Sequence, residues 1–306
     1  FTGNHGTNGF HLDFKNNSSN AALGYDAAGS NNWTVNNIIA DPGLATAKQG
    51  MDVVTYTGNG TARNIGGLEF EPDLIIVKSR NASYNHYWVD RVRGINENLY
   101  SNSNEATQTA DRLSSFRSDG FGLTNHTGVN NNGTTYVAWC WKAGGTATTN
   151  TTGTRQSSVS ANNTYGFSIT TWTGDGGSST TVGHGLTSAP DWVIIKNRDG
   201  ASSWHVYARA VDSTGRYGLY LNGDNSKVDF TNPFFDADNN TINLYSASVG
   251  INGNGTDYVA WSWTEIPGFS KFGTYAGTGS AHTVNLGFRP RYLIYKSATA
   301  SSTNWH

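Results

Sequence analysis

The stretch Pro72-Asp73-Leu74-Ile75-Ile76-Val77-Lys78 decides the fold, because the chain contains it three times. It returns as Pro190-Asp191-Trp192-Val193-Ile194-Ile195-Lys196 and as Pro290-Arg291-Tyr292-Leu293-Ile294-Tyr295-Lys296. Leu68, Leu186 and Leu286 each lie four residues before the Pro. Upstream of them stand Thr55-Tyr56-Thr57-Gly58-Asn59-Gly60, Thr171-Trp172-Thr173-Gly174-Asp175-Gly176 and Thr274-Tyr275-Ala276-Gly277-Thr278-Gly279. A short apolar run bounded by Pro and Lys reads as a strand buried on both faces. The Pro sits just ahead of the run, where a missing N–H is least costly. Asn-Gly and Asp-Gly supply the positive-φ residues that tight turns require.

The repetition extends outward. Leu99-Tyr100 corresponds to Leu219-Tyr220, and Tyr136-Val137-Ala138-Trp139-Cys140-Trp141 to Tyr258-Val259-Ala260-Trp261-Ser262-Trp263. Ser262 in the place of Cys140 excludes a shared catalytic thiol and marks a slot for a small buried residue. A complete copy of about 100 residues suits one small β-sandwich or jelly-roll-like unit. The expected organisation is therefore all-β, with tandem repeats. Residues 1–50 stand apart, 51–145 form the first unit, and 166–267 form the second. Residues 146–165, rich in Gly, Thr, Ser and Asn, form a linker or surface loop. Residues 268–306 begin a third unit, whose Trp305-His306 matches Trp204-His205. The third copy lacks its later part, so the chain is expected to be an excerpt of a longer protein.

Composition agrees with this and excludes other classes. The 306 residues include 37 Gly, 10 Trp, 15 Tyr and 13 Phe, with only 14% charged residues. Glycine, Asn, Ser and Thr are poor helix formers. Abundant aromatics at low net charge are unlike a disordered chain. A net charge of −2 is no footprint for nucleic acid. No apolar run reaches the length of a membrane span, so no membrane insertion is expected. One Cys permits no intrachain disulfide.

Gly9-Phe10-His11-Leu12-Asp13-Phe14 alternates like a strand, and with Asn31-Asn32-Trp33-Thr34-Val35 it looks like the last strands of a concanavalin-like or laminin-G-like jelly roll. The motifs Val54-Thr55-Tyr56-Thr57-Gly58-Asn59-Gly60, Pro72-Asp73-Leu74, Asp90-Arg91-Val92-Arg93-Gly94, Ser118-Asp119-Gly120-Phe121 and Tyr136-Val137-Ala138-Trp139-Cys140-Trp141-Lys142 resemble a family of tail-fibre and appendage proteins from marine and cyanobacterial phages. The second unit departs from it in the middle, where Ala208-Arg209-Ala210-Val211-Asp212 replaces Asp90-Arg91-Val92-Arg93-Gly94. The resemblance implies a virion structural protein, extracellular in its working state, that reaches towards the host surface. It implies no catalytic residue.

Functional expectations follow from both. Repeated β-units make a stiff arm, and exposed aromatic faces stack on sugar rings. Tyr84, Tyr87 and Trp88, with Trp204 at the corresponding place in the second unit, are the candidate contacts to a host-surface glycan. Trp139, Trp141, Trp261 and Trp263 recur within strands and read as core. The other expected partners are further virion proteins and the chain itself, with a trimer as the first expectation for self-assembly. A bacterial surface adhesin or extracellular fibre built from the same repeats is the alternative. A polysaccharide depolymerase would need two carboxylates at suitable spacing. Asp90, Glu97, Asp111 and Asp119 are available but form no motif. The histidines are scattered without metal-ligand spacing. No cofactor is expected; for Ca²⁺ the sequence offers only the Asp- and Asn-rich stretch Asp236 to Asn240.

Overall fold

The computed structural model describes His11 and residues 25–27, 30–32 and 48–306. The chain divides into residues 1–47 and a compact unit, Lys48–His306. In the former, the Asp26 carboxylate accepts from the N–H groups of His11 (2.8 Å) and Asn31 (3.2 Å). The jelly-roll strands expected over residues 1–50 fall almost wholly outside the described residues. In Lys48–His306 the fold is all-β, with antiparallel sheets and one short helix.

The first copy comprises β1 (Met51–Thr57), β2 (Arg63–Ile65), β3 (Leu74–Ser79), β4 (Tyr87–Asp90), β5 (Glu97–Tyr100), β6 (Gln108–Thr109), β7 (Leu113–Arg117), β8 (Gly120–Leu123), α1 (Thr127–Asn130) and β9 (Thr135–Trp141). Its main sheet runs β1-β9-β3-β4-β5-β6, and β2-β8-β7 form a small second sheet. Side chains alternate across a strand. Ile75 and Val77 of β3 therefore face Leu113, Phe121 and Leu123 of the small sheet, in a core belonging to this copy alone. Leu74 and Ile76 face the other way, into a second core. Both faces of β3 are covered, which is why the run is apolar throughout.

The second copy repeats the plan with β10 (Thr148–Asn150), β11 (Ser157–Asn162), β12 (Phe167–Thr173), β13 (Thr180–Gly183), β14 (Trp192–Asn197), β15 (His205–Ala208), β16 (Tyr217–Tyr220), β17 (Val228–Asp229), β18 (Phe235–Ala237), β19 (Thr241–Leu244) and β20 (Asp257–Trp263). Its main sheet runs β10-β11-β12-β20-β14-β15-β16-β17 and its small sheet β13-β19-β18. Register is preserved: Met51 pairs with Trp141 as Phe167 pairs with Trp263. The expected linker over 146–165 is corrected. It supplies β10 and β11, which extend the main sheet. Its polar composition hid this, because two of the three buried positions of β11 are held by the hydroxyl residues Ser157 and Ser160, with Val159 between them. Ser160 Oγ accepts from Gly144 N–H (2.9 Å) and donates to Gly145 O (2.8 Å).

The two main sheets face one another across the second core. Trp88 and Trp141 of the first copy meet Phe167, Trp204 and Trp261 of the second. Trp204 stacks on Trp261 at 5.4 Å and 13°, and Trp88 lies 5.1 and 5.0 Å from those two rings. The copies are layers of one body rather than beads. Each Trp removes roughly 150–250 Å² from water, so this cluster dominates the adhesion between copies. The third copy forms no strand, yet it packs on both others. Tyr292 meets Trp139 and Trp141 at 5.8 and 5.4 Å, and Trp305 meets Trp192 at 5.6 Å.

The recurring polar residues now have reasons. Asp73 accepts from Ala143 N–H (2.8 Å), Gly145 N–H (3.3 Å) and Arg91 Nε (2.7 Å), pinning the chain where β9 ends. Asp191 does the same for Glu265 N–H at 2.7 Å after β20, with Arg209 Nε 3.6 Å away. The recurring Lys ties down the hairpin that follows its strand. Lys78 Nζ donates to Tyr84 O (2.8 Å), Lys196 Nζ to Asn197 O (2.7 Å), and Lys296 Nζ to Thr303 O.

Candidate functional site

The four aromatics expected to stack on glycan are not grouped at the surface. Trp88 (6% exposed) and Trp204 (0%) are brought together, but inside the core between the copies. Trp204 Nε1 donates to Ser103 O (3.0 Å). Tyr87 (5% exposed) turns to the opposite face of β4 and meets Tyr100 edge-on at 5.2 Å. Gly128 of α1 makes room for it: a Cβ there would lie 2.0 Å from Tyr87 Oη. Tyr84 is half-buried against the first copy's own core. Tyr87, Trp88 and Trp204 are thus packing residues, and strand alternation sends neighbours Tyr87 and Trp88 into different cores.

The second copy carries a surface that the sequence reading did not single out. His205 of β15, at the position of Tyr87, is ringed by Tyr220 (5.2 Å), Phe234 (5.1 Å) and Phe230 (6.4 Å). Phe230 stacks on Phe234 at 4.4 Å. Tyr220, Phe230 and Phe234 are only partly buried. Burial pulls the His205 imidazole down to about 4, with the Lys196 ammonium adding to the effect. Tyr245 N–H donates to Phe234 O (3.0 Å), which carries the surface on to the outer face of β18 and β19. There Tyr245, 39% exposed, donates its hydroxyl to Asp236 (3.2 Å). Asn243 Nδ2 donates to Asp236 Oδ1 (2.8 Å) and Asp238 Oδ2 (3.3 Å). Burial pushes the Asp236 carboxyl up. In the first copy Ser114, Ser115 and Gly122 stand where the second has Asp236 and Asn243, and Thr124 stands where it has Tyr245. A usable signal was Phe230-Thr231-Asn232-Pro233-Phe234-Phe235, three phenylalanines around a proline with no counterpart upstream.

Residues 47–306 match one family over all three copies. The chain belongs to DUF7483, a domain of unknown function. No curated protein and no solved structure matches the chain. The family's unit coincides with the compact body from Lys48 onward, so the three copies together, rather than one repeat, form the DUF7483 domain.

The remaining candidates are placed as follows. The Asp90 carboxylate is fully buried and paired with Arg93 Nε at 2.6 Å. Glu97 accepts from Thr109 Oγ1 (3.0 Å) across the β5–β6 edge. Burial pushes the Cys140 thiol far up, which leaves it without thiolate character. In the stretch weighed for Ca²⁺, Asp238 Oδ1 accepts from the N–H groups of Asn240 and Thr241, both at 2.8 Å, and so closes its own turn. Among the described residues, no group of three His, Cys, Asp or Glu side chains is placed to hold a metal ion. Among them, too, no helix is long and apolar enough to cross a membrane.

Proposed function

We propose that this DUF7483 domain is a stiff structural element of a phage tail fibre or virion appendage, working outside the host cell and taking part in attachment to a surface glycan. The observation that carries the reading is the tryptophan core shared between copies. Units joined by a flexible linker would bend at each joint. Units that bury Trp88, Trp204 and Trp261 against one another cannot bend without exposing that surface to water. A rigid body suits a part that transmits contact from a cell surface to a particle. The half-exposed rings and carboxylates of the second copy supply the chemistry that sugars require: apolar faces for pyranose C–H groups and acceptors for hydroxyls. Other virion proteins are the expected neighbours in the assembled particle.

The test is a glycan array probed with the 306-residue chain, and with a Phe234→Ala/Tyr245→Ala variant whose near-UV aromatic signal shows it folded. Saturable binding that the variant loses supports attachment through the second copy. No binding by folded protein removes attachment and leaves the stiff element.

A further inference from the structure

The copies dock by one repeated set of contacts. Thr107 N–H of the first copy donates to Arg198 O of the second (2.8 Å); Lys227 N–H, at the matching position, donates to Ala298 O of the third (2.9 Å). Ser202 N–H donates to Asn104 O (2.8 Å), and Thr303 N–H to Asp224 O (3.1 Å). Both indoles reach the preceding copy, at acceptors three positions apart in the repeat: Trp204 Nε1 donates to Ser103 O (3.0 Å), and Trp305 Nε1 to Tyr220 O (2.9 Å), the counterpart of Tyr100. Each interface is therefore a plug, 198–204 or 298–305, seated against a socket on the preceding copy, 103–107 or the segment from Tyr220 to Lys227.

A repeated docking step either closes a ring or runs on as a filament. Here it turns back. The third copy, seated on the second, also reaches the first, where Tyr292 packs on Trp139 and Trp141 and Arg291 Nη1 pairs with Asp52 Oδ1 at 2.5 Å. A copy that meets both others around one core makes a ring of three. In such a ring the plug of the first copy, Arg80–His86, needs a socket. Its hydrogen bonds among the described residues stay within its own copy: Asn81 Oδ1 accepts from Thr135 N–H, Asn85 Oδ1 from Asn102 Nδ2, and Asn102 Oδ1 from His86 N–H.

We infer that Arg80–His86 is the open docking face of a three-membered ring, and that its partner is the socket loop of a completed third copy of the same repeat. A second molecule of this chain is no substitute, because both of its sockets are already filled. The inference rests on the docking contacts and not on glycan attachment. It assigns the loop bearing Tyr84 to a polypeptide partner rather than a sugar.

Hydrogen exchange tests it. In the 306-residue chain, amides 81–85 are expected to exchange at least tenfold faster than amides 199–203. Equal protection would mean that the first loop is already covered, and would overturn the inference. When residues 206–267 are appended after His306 to complete the third copy, exchange at 81–85 should slow to the rate at 199–203. Replacing His86 by the Trp found in both seated plugs (His86→Trp) should slow it further. Unchanged exchange at 81–85, with the appended closing strand itself protected, overturns the docking. A double-mutant cycle on the original chain, Asp52→Asn with Arg291→Gln, decides the ring even if the extended chain does not fold. A coupling of at least threefold in the unfolding equilibrium constant is expected, and no coupling overturns ring closure.

Discussion

The first and second copies solve one packing problem with opposite chemistry. At the end of β4, Asp90 and Arg93 form a fully buried ion pair; the matching residues at the end of β15 and just beyond it are Ala208 and Val211. Most of the ion pair's polar atoms are satisfied, although Arg93 Nη1 is buried without a hydrogen-bond partner. Asp90 Oδ1 accepts from Arg93 N–H (2.9 Å), Arg93 Nη2 donates to Trp88 O (3.0 Å), and Asp90 Oδ2 accepts from Trp261 Nε1 of the other copy (3.1 Å). The Arg93 guanidinium also lies 5.3 Å from the Trp261 ring. The ion pair thus belongs to the interface, whereas in the second copy Ala208 is buried, Val211 is only partly buried, and neither side chain can make such a polar link. Buried ion pairs add little net stability over apolar residues of similar size, but a half-broken one is costly. What the first copy gains is orientation, since a carboxylate in a fixed place tells the Trp261 indole which way to point.

That difference can be broken directly. Asp90→Ala strands Arg93 in the core and should cost about 3–5 kcal/mol of unfolding free energy in urea titration. Adding Arg93→Val copies the second copy's solution and should recover most of the loss. If the double variant is as unstable as the single one, the two copies are not interchangeable here, and the ion pair does more than fill space.

His205 against Tyr87 is the next contrast. Both sit over a glycine, Gly250 or Gly128, and both face aromatic rings. Only His205 titrates in the acid range, at about 4 in the fold against an ordinary 6.5. Between those values the unfolded chain takes up a proton that the folded chain refuses, so stability falls as pH drops from 6.5 to 4 and the whole contribution is gone below 4. The difference amounts to roughly 3 kcal/mol. His205→Tyr should leave the melting temperature near neutral pH almost unchanged and flatten its fall down to pH 4. An equally steep acid loss in the variant would place the sensitivity elsewhere.

These contrasts show what the sequence could and could not reveal. The strands were legible because β3 and β14 repeat the same apolar run between fixed Pro and Lys. The shared core was not, because alternation alone cannot say whether the outward face of Leu74 and Ile76 meets water or a second sheet. Trp88 and Trp204 were misplaced for that reason: as loop-adjacent aromatics they looked exposed, and only the neighbouring copy buries them. The persistence of Arg91 as Arg209 was hidden by the replaced charges on either side. The strands in 146–165 were hidden by hydroxyls doing the work of methyl groups.

Asp73 and Asp191 sharpen the comparison on a smaller scale. Asp73 is buried with three donors, while Asp191 has one short bond and a longer approach from Arg209. Hydrogen bonds to a charged group contribute about 1.5–3 kcal/mol when well made. Asp73→Ala should therefore cost about 2–3 kcal/mol, and Asp191→Ala about 1 kcal/mol. Equal losses in the two denaturation curves would show that Arg209 compensates by closing in.

The smallest expected effect concerns Cys140 and Ser262, which occupy one slot in β9 and β20. Ser262 is fully buried beside Ser168, its cross-strand neighbour, and neither hydroxyl finds a hydrogen-bond partner in the protein. Cys140 faces Asp52 in the equivalent pairing and leaves no hydroxyl to satisfy. A buried hydroxyl without a partner costs about 1–3 kcal/mol, whereas a thiol behaves as a small apolar group. Ser262→Cys should therefore raise stability by about 1 kcal/mol, seen as a higher urea midpoint at unchanged slope. The reverse change, Cys140→Ser, should lower it by a similar amount. If Ser262→Cys is destabilising instead, the hydroxyl is satisfied after all. The second copy would then hold a polar link between β12 and β20 where the first copy has a simple contact.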